Sequence, residues 1–339
     1  MQRVQFGLSP SYEALIGAGL LDSLGDLLRP LAAGCVTIVT DENVAPRYLA
    51  RAAASLRAAG FSVETAVLPA GEATKSLEYY GSLLLQFAPL TRSDTVLALG
   101  GGVVSDLAGF AAATYLRGMR LVNVPTTLLA MVDAAAGGKT GIDLPAGKNL
   151  AGAFHQPALI VCDTALLATL PPRQMRSGWA EAVKMAVLFD APLFEQLERG
   201  SAAPETAVAA CLTHKSAVLR RDVLDRGERQ LLNLGHTLGH AVEACSGNAV
   251  LHGEAVAIGL AGMARAFCRD GARITALLEQ LGLPTRTNLT PRELANAALH
   301  DKKRRGDTLT LAVPERIGHC VLREVPVGEL EEIFQRCLR

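Results

Sequence analysis

Thr95-Val-Leu-Ala-Leu-Gly-Gly-Gly-Val-Val-Ser-Asp106 joins a β-rich apolar run, three consecutive glycines and the opening of an Ala-rich segment. The pattern predicts a strand, a tight turn and a helix start. Glycines let a backbone approach a phosphate closely, and the free N–H groups of a helix start favour an anion by ~0.3–1 kcal/mol or more. The spacing is not G-x-G-x-x-G, so a plain strand-to-helix turn is the competing reading. The same alternation runs through the first half of the chain. Residues 36–40, 62–68 and 121–124 read as strands, and residues 48–59, 77–87 and 106–115 as helices. Strand, crossover helix and strand make a parallel sheet, which binds ligands at the carboxyl ends of its strands.

From about residue 173 the period changes to helical. Residues 179–188, 191–198, 206–219, 230–244, 254–268, 274–281 and 292–300 are expected as helices, with strands only at 308–314 and 320–325. The boundary is placed at Pro171-Pro172. Residues 1–172 then form an α/β domain and residues 173–339 a mainly helical one, with the site expected between them.

A chain of 339 residues suits two domains. Lys+Arg and Asp+Glu both number 33, so the formal net charge is zero and no overall basic field attracts nucleic acid or an anionic membrane. No apolar run approaches the ~18 residues that span a bilayer. The N-terminus reads as a strand start rather than a signal peptide. The seven cysteines are scattered and form no C-x-x-C. These features predict a reduced, soluble, cytoplasmic protein acting on a small molecule.

Asn233-Leu-Gly-His236-Thr-Leu-Gly-His240 puts two histidines one helical turn apart on one face. His252 follows beyond a Ser-Gly-Asn break, in Leu251-His-Gly-Glu254. Together they can aim imidazoles at one divalent ion, although no zinc-protease signature is present. Glu181 and Lys184 lie three apart on an apolar helix. Such a pair contributes only ~0.2–0.5 kcal/mol when exposed, and meets a larger desolvation cost when buried. A metal ion would keep a buried Glu181 ionised and leave Lys184 to a substrate; a structural ion pair is the alternative. Asp133 and Lys139 flank a Gly-Gly pair, and Lys148-Asn149 follow, a set that suits an anionic substrate better than a solvated face. Lys215, Arg229 and one lysine of Asp301-Lys302-Lys303 can join it. Asp41 stands at a strand end, where it would take a ribose hydroxyl or cap a turn. Gly71-Glu72-Ala-Thr-Lys75 and Pro125-Thr126-Thr127 also follow strands. The residues thus point to a metal enzyme that uses a nucleotide on a small polyanion, and leave the reaction open.

The motifs together resemble the 3-dehydroquinate synthase family of sugar-phosphate cyclases. The likeness runs through residues 100–106, 115–118 and 124–129, then 132–142 (VDAAAGGKTGI), 147–149 and 152–157 (GAFHQP). It continues at residues 180–184, 233–240 (NLGHTLGH), 251–256 (LHGEAV) and 301–303. The resemblance implies a Rossmann-like NAD-binding domain, a helical metal-binding domain and a homodimer. It implies Glu181, His236 and His252 as ligands of zinc or cobalt. It places Asp41, Asn43, Gly71, Glu72, Lys75, Gly101, Gly102, Val103, Asp106, Thr126, Thr127, Lys139, Lys148 and Thr169 around NAD. The substrate would meet Asp133, Lys139, Lys148, Asn149, Lys184, Lys215, Arg229, Asn233, His240 and Lys302 or Lys303, with Arg117 reaching the phosphate bound by the neighbouring subunit. The implied reaction, a carbon–oxygen lyase step of the shikimate route to the aromatic amino acids, converts 3-deoxy-D-arabino-heptulosonate 7-phosphate to 3-dehydroquinate and phosphate. NAD⁺ oxidises a hydroxyl, phosphate is eliminated, NADH returns the hydride, and an aldol step closes the ring. A related cyclase, or a metal-dependent alcohol or glycerol dehydrogenase, is the alternative. Asp143, Asp225, Ser105 and Met185 stand where many members carry Asn, Glu, Gly and Tyr.

Overall fold

The computed structural model describes residues 1–247, 249–299, 304–305 and 307–339. The chain divides into two compact units: Met1–Leu170 with Lys215–Arg220, and Pro171–His214 with Arg221–Arg339. The first is α/β. Its strands are β1 (Gln2–Phe6), β2 (Tyr12–Gly17), β3 (Cys35–Asp41), β4 (Ser62–Leu68), β5 (Thr95–Gly100) and β6 (Arg120–Pro125). A hairpin of β7 (Lys139–Leu144) and β8 (Gly147–Phe154) and then β9 (Leu159–Asp163) complete them. One seven-stranded sheet runs β1-β2-β9-β6-β5-β3-β4. Every pairing in it is parallel except β1 with β2. Chain order reverses between β3 and β5, so their carboxyl ends, Asp41 and Gly100, flank the crevice where such sheets bind ligands.

β5 shows why the sequence folds this way. All six of its residues are buried. Leu97 and Leu99 join Leu24, Leu28, Ala52 and Leu56 on one face, from helices α1 (Leu24–Leu28) and α2 (Ala50–Ala58). Val96 and Ala98 join Leu83, Val104, Leu107 and Ala111 on the other, from α3 (Leu77–Gln86) and α4 (Gly102–Thr114). A strand covered on both faces must be largely apolar, and residues 96–99 are apolar throughout. Asp94 holds the entry to this sheet. Its Oδ1 accepts from Cys35 N at 2.7 Å and its Oδ2 from Thr91 N at 2.7 Å.

The second unit is mainly helical: α5 (Pro172–Phe189), α6 (Ala191–Glu198), most of α7 (Pro204–Arg221), α8 (His236–Cys245), α9 (His252–Phe267), α10 (Gly271–Gln280), α11 (Pro291–Ala298) and α12 (Leu330–Leu338). A small antiparallel sheet of β10 (Arg304–Arg305), β11 (Thr308–Arg316) and β12 (His319–Pro326) belongs to it. α9 is the central helix, packed by α5, α8, α10 and α12. Its residues from Ala255 to Ala264 are all buried, so it is apolar all round. The helix expected over residues 230–244 is broken. A 3₁₀ turn, Glu228–Asn233, ends at Leu234, Gly235 takes a left-handed φ of 76°, and α8 starts afresh at His236. Arg229 and Asn233 therefore do not continue the helix that carries His236 and His240. Among the described residues no helix is long and apolar enough to cross a membrane.

Asp94 supplies a test of the sheet entry. Burial works against its charge, but the amides of Thr91 and Cys35 outweigh that and hold its carboxyl below the usual value of 3.8. A lowered native value contributes stability above the unfolded value, lost as pH falls through the native one. Asp94→Asn should cost about 2 kcal/mol at pH 7. The gap from wild type, read from denaturant unfolding, should hold down to about pH 5 and close below about pH 4. A pH-independent gap would contradict this role.

Candidate functional site

The first unit builds an anion cradle at the β5–α4 junction. α4 begins at Gly102 with no side-chain cap. Its first amides therefore have neither an intrahelical acceptor nor a capping oxygen, and they suit a phosphate. A Cβ on Gly101 would lie 3.2 Å from Thr127 Cγ2, so a side chain there would crowd the turn. Thr126 N donates to Gly100 O at 2.9 Å, tying the ends of β5 and β6 together. Thr127 Oγ1 caps the next turn through Ala130 N at 3.2 Å. Asp41 Oδ1 accepts from Asn43 N at 2.9 Å and from Val44 N at 3.0 Å, so one oxygen shapes the turn after β3. Gly71 and Asn43 sit in loops after strands, the exposed Thr169 ends the 3₁₀ helix that follows β9, and Val103 lies in the first turn of α4. Thr169 Oγ1 meets Tyr48 Oη at 2.5 Å.

Lys75 gathers several of the expected nucleotide residues. Its buried ammonium lies 2.8 Å from Asp106 Oδ2, 3.6 Å from Glu72 Oε1 and 2.5 Å from Asn149 Oδ1. Burial lowers the Lys75 value, yet Asp106 and Glu72 outweigh it, so the lysine is held above its ordinary range. The Asp106 carboxyl is raised, because its burial exceeds the opposing pull of Lys75. Asp143 orders the neighbouring hairpin: its backbone N–H donates to Lys75 O at 2.8 Å, and its Oδ1 accepts from Asn149 N at 2.7 Å. Lys139 and Lys148 are exposed on β7 and β8. Lys215, expected with the helical domain, packs instead with the first unit. Its Nζ bonds Asp133 O at 2.7 Å and pairs with Asp133 Oδ1, while Ser216 Oγ donates to Gln5 O at 2.6 Å.

The second unit brings Glu181, His236 and His252 together, with one donor atom of each within 4.8 Å of the others. Glu181 is fully buried in α5. Its Oε1 lies 3.4 Å from His236 Nε2 and 3.3 Å from His252 Nε2, and its Oε2 lies 2.5 Å from Lys184 Nζ. Two atoms bound at ~2.1 Å to one tetrahedral ion stand ~3.4 Å apart, so both imidazoles are spaced from Oε1 as ligands of a common ion would be. None of these contacts has hydrogen-bond geometry, and both carboxylate oxygens are sealed from solvent. A buried carboxylate without a donor is costly unless a cation meets it. Burial alone would raise the Glu181 value, but Lys184 and His236 outweigh it and hold the group well below the usual range. Burial and Lys184 lower His236, whereas Glu181 and Glu243 overcome burial and push His252 up to about 10. The residues present fit a divalent ion.

Close packing sets this geometry. A Cβ on Gly253 would lie 2.0 Å from Ser177 O, so only glycine lets α9 touch α5 beside His252. Gly253 N donates to Ser177 Oγ at 3.0 Å. The exposed His240 has its ring centroid 5.3 Å from that of His236 and 5.9 Å from that of His252, and it groups with Glu243 and His252 rather than with Glu181. Glu243 is not singled out by the sequence motifs, although it lies seven residues after His236, two helical turns along the same face. Arg229 is buried, with Nη1 donating to Val223 O and its backbone N–H to Asp222 Oδ2 at 3.1 Å. Asn233 closes the 3₁₀ turn before α8, and Arg117 is exposed beyond α4. Lys302 and Lys303 lie outside the described residues.

Gly253→Ala tests the packing argument. Forcing α9 off α5 should weaken zinc binding by about tenfold or more, because the ligands no longer converge. It should also destabilise the metal-free protein by about 1–3 kcal/mol. Chelator competition and thermal unfolding measure the two effects, and wild-type zinc affinity in the variant would contradict the argument.

The profile for 3-dehydroquinate synthase N-terminal matches residues 65–177, and that for 3-dehydroquinate synthase C-terminal matches residues 178–304. The 3-dehydroquinate synthase of Lactiplantibacillus plantarum is 44% identical over 337 residues, covering 94% of each chain. Among solved structures, ValA, the 2-epi-5-epi-valiolone synthase of Streptomyces hygroscopicus subsp. jinggangensis with NAD⁺ and Zn²⁺ bound, is similar at a TM-score of 0.86 and 29% identity over 96% of each chain. A 2-deoxy-scyllo-inosose synthase complexed with carbaglucose-6-phosphate, NAD⁺ and Co²⁺ is similar at 0.87 and 25% identity over 98% of each chain. Two adjoining domain profiles and identity along nearly the whole length lead to one placement: the chain belongs to the 3-dehydroquinate synthase family.

Proposed function

We propose that the chain converts 3-deoxy-D-arabino-heptulosonate 7-phosphate to 3-dehydroquinate and phosphate, with NAD and a divalent ion recovered at the end of each turnover. The observation that carries the metal chemistry is the fully buried Glu181, whose Oε1 stands 3.3 and 3.4 Å from two imidazole nitrogens. The choice of substrate rests on 44% identity with a 3-dehydroquinate synthase, against 29% and 25% with cyclases named for other products.

Glu181, His236 and His252 would hold zinc or cobalt, and the α4 amides with Gly101 and Gly102 would hold the NAD pyrophosphate. When bound, NAD accepts and returns a hydride, and the ion polarises an alcohol oxygen as a Lewis acid. Lys184 balances the Glu181 charge at 2.5 Å, and its ammonium would also face the substrate. Asn149 is held by Lys75 and Asp143, so its hairpin presents Lys148 from an ordered strand. Asp133 fixes the Lys215 ammonium. Lys139, Lys148 and Lys215 of the first unit would supply positive charge for a phosphate or a carboxylate, and so would Arg229 of the second, through positioning and charge stabilisation. Asn233 and His240 would complete the substrate's polar contacts.

We further infer a homodimer in the cytoplasm, with Arg117 reaching the phosphate of the neighbouring subunit's substrate. Leu116 and Arg117 have φ of 49° and 62°, strained values for residues with side chains. Such values cost about 1–3 kcal/mol per residue and cluster at functional sites.

Purified protein with NAD⁺ and Zn²⁺ or Co²⁺ should release phosphate from the heptulosonate phosphate without net NADH. NADH accumulation on a polyol would support the dehydrogenase reading instead, and absent phosphate release with metal bound would refute this one. Glu181→Ala should remove bound metal and lower turnover by about 10³-fold or more, the loss of several kcal/mol of Lewis-acid stabilisation. Unchanged metal content in that variant would overturn the ligand assignment.

A further inference from the structure

The two histidines beside Glu181 are oriented alike but anchored differently. Each points Nε2 at Glu181 Oε1. Each therefore has Nδ1 left for a second partner. His236 Nδ1 meets the backbone carbonyl of Leu234 at 3.1 Å, a contact that no substitution at position 234 removes. His252 Nδ1 meets the side chain of Glu243, at 3.2 Å from Oε2. Glu243 is itself 8% exposed, a carboxylate kept out of water on α8. The ring of His252 thus lies between two carboxylates, Glu181 on its Nε2 edge and Glu243 on its Nδ1 edge.

We propose that Glu243 is a positioning residue for the metal centre: by accepting the Nδ1–H of His252 it fixes the ring's tautomer and orientation, so that the Nε2 lone pair faces the ion. The inference rests on the metal site proposed above. A ligating imidazole with its other N–H held by a carboxylate is turned to the correct angle and made a better donor. His252 needs such a partner more than His236 does. It is the first residue of its helix, where backbone restraint is weakest, and about a third of its side chain is exposed, whereas His236 is buried. The carbonyl-anchored ring and the carboxylate-anchored ring then present the same nitrogen to the same oxygen.

Glu243 also groups with His240 and His252 as three possible ligands of one ion. The shared histidine separates the two readings. In that second group Glu243 would bind an ion directly and on the Nδ1 side, giving a second metal equivalent per chain.

The test is metal titration of the full-length protein by chelator competition, with Zn²⁺ and with Co²⁺, whose visible absorption reports the strength and geometry of its ligand field. Wild type, Glu181→Ala, Glu243→Met and Glu243→Gln are compared. Methionine fills the volume but cannot accept as a carboxylate does; glutamine keeps an acceptor and loses the charge. One equivalent should bind wild type. Glu243→Met should bind about ten- to a hundredfold more weakly, the loss typical of such partners, with an altered Co²⁺ spectrum. Glu243→Gln should recover most of that affinity while its spectrum remains shifted. If Glu243→Met does not fold, wild-type affinity together with a wild-type spectrum in Glu243→Gln overturns the proposal. Wild-type affinity in a folded Glu243→Met also overturns it, as does a second metal equivalent that the Glu243 variants lose while the first is unaffected. No metal binding to wild type would instead refute the metal site itself, an outcome distinct from all of these.

Discussion

A carboxylate with no access to water is the constraint on which the second unit depends. Glu181 sits in the middle of α5 and is fully buried. Apolar packing around a charge is unfavourable unless cations or donors meet it. Lys184 meets one oxygen, and the two imidazoles stand at the other. The rest of the unit serves that convergence. Gly235 turns the chain so that α8 begins at His236, and Gly253 lets α9 lie against α5. The apolar surface of α9 then fixes three helices around one charged point.

The first unit solves a different problem with similar economy. Its sheet is covered on both faces, which leaves the strand ends as the place for polar chemistry. Asp41, Gly101, Thr126 and Asp106 all follow or flank carboxyl ends of parallel strands. Lys75 then binds this region to the β7–β8 hairpin through Asp106 and Asn149. The start of α4 and a lysine-bearing hairpin are thereby coupled by one buried ammonium.

Much of this was legible in the sequence, and the exceptions have physical causes. Residues 95–106 were readable because an apolar run, three glycines and an Ala-rich segment each have one favoured local structure. The strands at 308–314 and 320–325 were readable for the same reason, and they extend only a few residues further as β11 and β12. The β7–β8 hairpin was not. Its glycines and lysines give no two-residue alternation, and its shape comes from long-range partners such as Lys75 and Asp143. Lys215 reads as part of the helical half because its neighbours in sequence are helical; its hydrogen bond to Asp133 places it with the other unit. The break before α8 was hidden because residues 230–244 keep a helical period across Gly235. Glu243 was within reach, two turns after His236 on one face, but its partner His252 arrives from another helix. Periodicity along one segment carries no signal for a contact of that kind.

The central claim is that one carboxylate and two imidazoles make the metal centre, with His240 outside it. X-ray absorption at the zinc edge of the zinc-loaded, full-length protein tests this most directly, because the outer-shell scattering counts coordinated imidazole rings. Two imidazoles with oxygen ligands is the predicted result. Three imidazoles, or none, would contradict the account.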